Sequence, residues 1–86
     1  MLTRMLALEL AKYNIRVNAI APSIVKTDLS KAAWSSSDLL KQTTGDVPLG
    51  RLAETDDIVG SALFLASEAS IYMTGHTIVL DGGLSA

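Results

Sequence analysis

Residues 15–21 read Ile-Arg-Val-Asn-Ala-Ile-Ala and are followed by Pro22. The alternating β-branched residues predict a short strand, and the proline predicts where it stops. Within it, Asn18 is predicted to be a hydrogen-bonded structural residue. A second apolar run, His-Thr-Ile-Val-Leu at 76–80, predicts another strand after an intervening helix. Strand, helix, strand in this order favours two parallel strands joined by a right-handed crossover.

One long helix is predicted before the first strand in the sequence and another after it. Residues 2–13 (LTRMLALELAKY) are strong helix formers, and Asn14 is well placed to end that helix in the left-handed conformation. Apolar residues surround most of this helix, so we expect it to be covered on more than one side. Thr55 is predicted to cap a second long helix that frays over 67–70. Its interior Gly60 is expected where the helix backbone approaches a sheet closely.

The connection between Pro22 and Glu54 contains no long periodic segment. Thr27 or Asp28 is predicted to cap a short helix over 29–33. Ser36 or Ser37 is predicted to cap another over 38–42. Connections of this length are uncommon in compact domains unless they form a lid or a binding loop.

The composition limits the function classes. Of the 86 residues, 49% are hydrophobic, which is high for so short a chain and predicts apolar faces that pack against something outside it. The net charge of −2 and the scattered lysines and arginines argue against a nucleic-acid partner. No apolar run approaches the roughly 18 residues of a membrane helix. We therefore expect a cytoplasmic protein with no membrane partner.

Few residues of this chain could support metal binding, phosphate binding or acid–base catalysis. The chain has no cysteine and a single histidine, His76, which is predicted to be a solvated turn residue, and no metal site is expected. No glycine spacing matches a phosphate-binding loop. Asp56 and Asp57 are interpreted as first-turn helix residues and not as a catalytic dyad. Trp34, in the long connection, either anchors the loop or contacts a ligand.

Three segments, in order, carry a family resemblance. The stretch at 16–27 reads RVNAIAPSIVKT, that at 48–58 reads PLGRLAETDDI, and that at 67–83 reads SEASIYMTGHTIVLDGG. Together they cover nearly the whole chain and resemble the last third of the short-chain dehydrogenase/reductase family. The resemblance implies the C-terminal portion of an α/β, Rossmann-like doubly wound parallel sheet, arranged helix–strand–lid–helix–strand. Residues 1–86 would then be part of a single NAD(P)-binding domain, with no complete domain of their own.

The implied activity is NAD(P)-dependent hydride transfer that interconverts alcohols and ketones. The family's catalytic serine and its Tyr-x-x-x-Lys pair would precede Met1. Neither tyrosine here substitutes, because Val17 stands four residues after Tyr13 and His76 stands four after Tyr72. We therefore expect no catalytic residue in this chain, no activity from it alone, and weak or no binding of NAD or NADP by it alone.

By resemblance, the backbone at Pro22, Ser23 and Val25 and the hydroxyl of Thr27 would face the cofactor's carboxamide. Ligands bind at the carboxyl ends of parallel strands, which fits this position. Ser23 stands where the family usually has glycine, so its side chain is expected to crowd the nicotinamide or alter the loop. Capping a helix is the alternative role for Thr27, and the two roles are compatible.

Residues 28–49 would form the substrate lid, with Asp28, Leu29 and Trp34 as its candidate contact residues. The resemblance also implies a small alcohol or ketone substrate and a homo-oligomer formed through the 2–13 helix. Two alternatives remain at this point: a non-catalytic module that pairs with full-length subunits, and a truncated product without a settled fold.

Overall fold

The computed structural model describes all 86 residues. Its helices are α1 (Leu2–Leu10), α2 (Ser37–Thr44) and α3 (Thr55–Ala66), and its strands are β1 (Ala19–Pro22) and β2 (Thr77–Leu80). Three 3-10 turns lie at Ala11–Tyr13, Lys31–Ala33 and Glu68–Ser70. Contacts divide the chain into two units. Unit 1 comprises Met1–Ala21 with Val59–Val79, and unit 2 comprises Pro22–Ile58 with Leu80–Ala86.

In unit 1 the first helix follows the prediction. α1 continues through the 3-10 turn to Tyr13, and Asn14 ends it with φ 60° and ψ 34°, the left-handed conformation. Its buried residue is Ala7, which is 2% exposed. The Cβ of Ala7 lies only 3.4 Å from the point where a side chain on Gly75 would begin. The small residues therefore allow α1 and the turn before β2 to pack closely.

The two strands form a parallel pair. The amide of Ala19 donates to the carbonyl of His76 (2.9 Å), and the amide of Ser23 donates to that of Leu80 (3.1 Å). Both partners advance by four residues, which is the register of parallel strands. This confirms the predicted orientation.

The predicted start of the first strand is wrong, because β1 begins at Ala19 and not at Ile15. Residues 15–18 bond to a turn instead of a strand. The carbonyl of Val17 accepts from Gly75 N (2.7 Å), and its amide donates to Thr74 Oγ1 (3.1 Å). The side-chain amide of Asn18 donates to Met73 O (3.0 Å), and its oxygen accepts from the amide of His76 (3.1 Å). The structural role predicted for Asn18 is therefore confirmed, and exposed His76 lies just before β2.

A single guanidinium organises the other end of unit 1. Arg16 Nη1 donates to Ser70 O (2.8 Å), Ser70 Oγ (2.9 Å) and Met73 O (3.5 Å), and Nη2 donates to Leu65 O (3.3 Å) and Ser67 O (3.4 Å). These five residues are called the Arg16 cluster below. Ser70 is only 3% exposed, and its hydroxyl is fully hydrogen-bonded within the cluster. The cluster ties the chain after the first helix to the chain after α3.

The start of α3 corrects the predicted cap. Thr55 is the first residue of the helix and its hydroxyl makes no hydrogen bond. The carboxylate of Asp57 instead accepts from the amide of Glu54 (2.7 Å). A carboxylate in the first turn reaches back to a free amide and also opposes the positive end of the helix dipole, so it replaces the hydroxyl.

Two further features of α3 concern Gly60 and the end of the helix. No neighbouring atom of this chain lies within 4 Å of the point where a side chain on Gly60 would begin, so neither β1 nor β2 approaches the helix there, and the close approach to a sheet stays a prediction. Residues 67–70 do not simply fray: Glu68–Ser70 form an ordered 3-10 turn, and the hydroxyl of Ser67 accepts from the amide of Ala69 (3.3 Å).

Unit 2 contains the long connection. Ser36 caps α2 by accepting from the amide of Leu39 (3.2 Å), as predicted, and α2 is longer than expected. The helix predicted over 29–33 is only the 3-10 turn Lys31–Ala33. Its N-cap position is Ser30, so neither Thr27 nor Asp28 caps it. The hydroxyl of Ser30 is engaged with Val25 and Thr27 and makes no capping hydrogen bond.

Little apolar surface is buried. Ala7 and Leu52 are the only buried hydrophobic side chains, and the accessible surface is 6329 Å². A compact monomer of 9.1 kDa exposes about 4,900 Å². The apolar excess noted in the composition therefore lies on the surface. None of the helices has the length and apolar character needed to cross a bilayer.

Candidate functional site

The segment after β1 places a row of backbone groups at the carboxyl end of the sheet. Val25 forms a parallel bridge with Ala53: Lys26 N donates to Ala53 O (2.7 Å), and Ala53 N donates to Ile24 O (3.3 Å). Because the two flanking residues make both bonds, the N–H and C=O of Val25 point away from Ala53. The bridge thus fixes the direction in which Val25 presents its backbone.

Most amides in this segment are already used. Ser23 N donates to Leu80 O, and Thr27 N donates to Ser30 Oγ (3.0 Å). The amides of Ile24 and Val25 donate to no group in the chain. Backbone donors are obligatory hydrogen-bonding groups, so these two consecutive N–H groups are open to solvent or a ligand.

A serine that the sequence reasoning missed organises the residues around Thr27. Ser30 Oγ accepts from Thr27 N (3.0 Å) and from Trp34 Nε1 (3.2 Å), and donates to Val25 O. We call Val25, Thr27, Ser30 and Trp34 the Ser30 cluster. The Thr-x-x-Ser spacing, typical of hydroxyl-centred turns, is the signal that could have identified it.

The number of hydrogen bonds that the Ser30 hydroxyl can make determines whether it also binds the Thr27 hydroxyl. One hydroxyl donates once and accepts twice. Ser30 reaches that number with Val25 O, Thr27 N and Trp34 Nε1, so its contact with Thr27 Oγ1, at 3.5 Å, is surplus. The Thr27 hydroxyl is therefore free to bond elsewhere, two residues after the open Val25 amide.

The structure supports the loop-anchoring interpretation of Trp34. Its Nε1 donates both to Thr27 O (3.2 Å) and to Ser30 Oγ, and the Lys26 ammonium lies 4.9 Å from the ring centroid. The other two candidate lid residues behave differently. Leu29 is completely exposed, and the exposed side chain of Asp28 makes no hydrogen bond or ion pair.

Pro22 and Ser23 differ in what they offer. Pro22 ends β1, is exposed and has no N–H. Ser23 has a negative φ, so this position does not require the glycine usual in the family. Ser23 lines a cavity of about 200 Å³ with mainly apolar walls. Of the four predicted cofactor contacts, only Ser23 lines this cavity; Pro22, Val25 and Thr27 do not.

An ion pair closes one wall of the same cavity. Arg51 Nη1 lies 2.8 Å from Asp57 Oδ2, and Nη2 lies 3.3 Å from Oδ1. Hydrogen bonding from Arg51, followed by that from the Glu54 amide, lowers the pKa of Asp57 from 3.8 to about 2. Asp57 therefore remains an ionised structural group and is not a proton donor near neutral pH. No group of three or more His, Cys, Asp or Glu side chains is arranged to hold a metal ion.

The class of protein follows from comparison with solved structures. A putative 2-deoxy-D-gluconate 3-dehydrogenase from Agrobacterium tumefaciens with bound NADP matches 98% of this chain and 34% of its own, with 38% identity and a TM-score of 0.90. A 4-hydroxyisoleucine dehydrogenase mutant complexed with NADH and succinate matches 98% of this chain and 35% of its own, with 33% identity and a TM-score of 0.92. Both are Rossmann-fold oxidoreductases, so the predicted α/β fold class is confirmed.

Sequence comparisons identify the family. The family model described as enoyl-(acyl carrier protein) reductase matches residues 1–85. L-xylulose reductase from Bos taurus is 44% identical over 85 residues, which are 99% of this chain and 35% of that protein. D-erythrulose reductase from Gallus gallus is 41% identical over 83 residues, 96% of this chain and 34% of that protein. The chain belongs to the short-chain dehydrogenase/reductase family and spans about a third of the length of these relatives.

Proposed function

We propose that these 86 residues are the C-terminal part of one Rossmann-like domain and contain no complete domain of their own. The domain belongs, in this proposal, to an NAD(P)-dependent oxidoreductase that interconverts alcohols and ketones. Support comes from the 99% coverage of this chain by L-xylulose reductase, and from two structural relatives whose complexes hold NADP and NADH. In that assembly the chain supplies the nicotinamide-side wall and the substrate lid.

The open amide of Val25 carries the proposal for the wall. A nicotinamide carboxamide offers one oxygen acceptor and one NH₂ donor. The Val25 N–H suits the oxygen, while the Thr27 hydroxyl and the Pro22 carbonyl offer partners for the amide. The Ser23 backbone amide is engaged with Leu80, so we assign Ser23 a place beside the ring and no amide contact.

These residues bind and orient, and they transfer no proton. A bound nicotinamide supplies or accepts the hydride. The Ser30 cluster fixes the Val25 carbonyl and the Thr27 amide, and so fixes the plane against which the carboxamide lies. Preorganised donors of this kind cost no rearrangement when the ligand arrives. Since no tyrosine here has a lysine four residues later, no catalytic proton transfer is assigned to this chain.

The lid role rests on the exposed tip of the 28–49 segment. Leu29 is fully exposed and Asp28 is unpaired, so both can contact a substrate, whereas Trp34 holds the base of the lid. An apolar side chain wholly in water gains free energy by covering a ligand.

The outer surface of α1 favours self-association. Leu2, Met5 and Leu8 are 67%, 63% and 82% exposed and lie on one nine-residue helix. A contiguous apolar surface of this kind typically marks a protein interface. We therefore propose that α1 packs against the same helix of a second copy, giving a homo-oligomer.

A chimera tests the catalytic proposal. The 86 residues replace the matching third of L-xylulose reductase, and NADH or NADPH oxidation is followed with L-xylulose and other ketones. We expect turnover from the chimera and none from the isolated chain. Thr27→Val should raise the KM for the cofactor about tenfold, the effect of one lost hydrogen bond in a bound complex, whereas the exposed Glu68→Gln should leave it unchanged.

A folded chimera without cofactor binding or turnover would argue against the nicotinamide-side wall. It would favour the alternative of a non-catalytic module that only pairs with complete subunits. Size-exclusion of the chain mixed with a full-length relative measures that pairing directly. Leu8→Glu should abolish co-elution if α1 forms the contact, because a carboxylate would be buried in an apolar interface.

A further inference from the structure

Unit 2 contains a second cavity, which shares Arg51 and Leu52 with the apolar one. Its volume is about 330 Å³, and its wall includes Lys26, Leu40, Lys41, Thr44, Arg51 and Glu54. This is the size of a small-molecule site. Three of the chain's seven lysines and arginines line it, although the net charge of the protein is −2.

The charges around this cavity are not balanced internally. Arg51 is neutralised by Asp57 in the chain's only ion pair. Glu54 contributes one carboxylate to the wall, but no ammonium lies within 4 Å of it. Lys26 and Lys41 are therefore both without a carboxylate partner. With Arg51 neutralised, two lysines and one glutamate leave the wall with a net positive charge, which favours a bound anion.

The position of Lys26 connects the cavity to the proposed nicotinamide-side wall. Lys26 lies between Val25 and Thr27, and its amide is fixed by the bridge to Ala53 (2.7 Å). Its ammonium is held 4.9 Å from the centroid of the Trp34 ring. The cation thus stands at a defined place beside the Ser30 cluster.

We propose that this cavity binds a small molecule through a carboxylate or phosphate group held by the Lys26 and Lys41 ammonium groups. Leu40 and Leu52 would contact the apolar part of the ligand. Resting on the proposed function, this inference makes the substrate class an anionic hydroxy or keto compound. Charge-assisted hydrogen bonds to two lysines would select it over a neutral polyol.

Trp34 is the only tryptophan in the chain, so its fluorescence reports directly on Lys26. The chain is titrated with inorganic phosphate and with succinate at constant ionic strength, and erythritol serves as the neutral control. We expect a saturable change in Trp34 emission with at least one of the two anions and none with erythritol. Binding of phosphate alone would indicate a phosphorylated ligand, and binding of succinate alone a carboxylate.

Lys41→Gln should raise the Kd of the anion about tenfold, because it removes one charge-assisted contact. Lys12→Gln is the matched control: Lys12 also lies over an aromatic ring, 5.2 Å from the centroid of Tyr13, but lines no part of this cavity. Circular dichroism checks that each variant is folded. Amide NMR shifts at Thr44, Gly50 and Glu54, which line the cavity, check that the anion binds there. Equal weakening by both lysine variants would mean non-specific charge binding and would overturn the proposal.

The absence of any saturable response to phosphate and succinate would also overturn it. NADH and NADPH binding by the chimera is measured separately. Loss of cofactor binding with retained anion binding would count against the nicotinamide-side wall alone. Retained cofactor binding without anion binding would count against the anion site alone.

Discussion

The Arg16 cluster and the Ser30 cluster are both built around one polar side chain, but they differ in reach. Arg16 bonds to groups 49 to 57 positions away in the sequence, whereas every partner of Ser30 lies within five positions. One is a charged donor that closes a long loop, and the other is a neutral hydroxyl that shapes a short one. The first maintains a unit of the fold, and the second adjusts the geometry of a candidate site.

This difference predicts how far the effect of each substitution spreads. Arg16 holds together segments whose association costs much chain entropy, so its loss should be felt throughout unit 1. Ser30 restrains residues that neighbour one another in sequence in any case. Its loss should alter their arrangement and leave the remainder of unit 2 in place.

The largest effect is expected from Arg16→Lys. An ammonium cannot reproduce the fork of donors that contacts Ser70, Leu65 and Ser67 together. Several carbonyls would then lose a charged partner, at a cost of about 3 kcal/mol in the free energy of unfolding. Urea denaturation followed by circular dichroism measures this loss. Arg4→Lys, on an exposed part of α1 without side-chain hydrogen bonds, should change stability by less than about 0.5 kcal/mol, and an equal effect of the two would disprove the assignment.

Ser30→Ala should have a smaller and more local effect. It leaves the Thr27 amide and Trp34 Nε1 without their shared acceptor, at a cost of about 1–2 kcal/mol. Trp34 emission should shift to longer wavelength as the ring becomes more solvated. Ser35→Ala, at an exposed serine without side-chain hydrogen bonds, is the control. An unchanged emission spectrum for Ser30→Ala would contradict the existence of the cluster.

Lowering the pH should affect the Arg16 cluster and unit 2 differently, without any mutation. The partners of Arg16 are carbonyl and hydroxyl oxygens, which do not titrate, whereas unit 2 contains the Arg51–Asp57 pair. Because the pKa of Asp57 is lowered on folding from 3.8 to about 2, its contribution to stability is complete above pH 4 and is lost as the pH falls towards 2. Hydrogen bonding to Ser85 and Gly83 also lowers the pKa of Asp81, so it acts in the same direction.

We therefore expect amide exchange between pH 4 and pH 2 to rise first around 51–57 and only later at Ser70 and Met73. Asp57→Asn should remove much of this pH dependence, and Asp56→Asn, which changes the same charge outside the ion pair, should not. If exchange rose at the same pH around 51–57 and at Ser70 and Met73, the two regions would have the same stability towards acid.

The smallest expected effect belongs to Lys26→Gln. The exposed cation–π contact with Trp34 contributes about 0.5–1 kcal/mol. The variant should alter the intensity of Trp34 emission while the hydrogen bonds of Ser30 persist. Thermal denaturation compared with Lys12→Gln, which loses the analogous contact with Tyr13, tests whether the two contacts are equivalent. A loss as large as that in Ser30→Ala would mean that Lys26 belongs to the cluster.

Local sequence signals account for most of the elements. The run of helix formers over 2–13, the left-handed Asn14, the Ser36 cap and the β-branched run before Asp81 each depend on neighbouring residues alone. The family motifs predicted the fold class because they cover nearly the entire chain. Such features can be predicted because their stabilising contacts lie within a few positions of one another.

The errors arise where distant residues compete for the same groups. Residues 15–18 have the composition of a strand, but Thr74 and Gly75 take the hydrogen bonds of Val17. The Thr55 error is local instead: the helix already includes Thr55 as its first residue, and the Asp57 carboxylate bonds to the Glu54 amide before it. The Arg16 cluster could not be predicted because all but one of its acceptors are backbone carbonyls, which every sequence supplies. Ser30 was within reach, since its partners lie nearby and its spacing from Thr27 is a known turn pattern.

The two consecutive glycines that follow β2 restrict how this chain could diverge. A side chain on Gly82 would begin 2.7 Å from Val47 Cγ1, and one on Gly83 would begin 3.0 Å from Pro48 Cγ. Both residues also have positive φ, 65° and 96°, so smaller neighbours alone would not accommodate another amino acid. In a library that randomises 47–48 together with 82–83, the first pair should vary among selected clones while the second returns glycine. Residues 82–83 therefore fix the backbone against which residues 47–48 pack, and the side chains of the latter pair are the ones that can change.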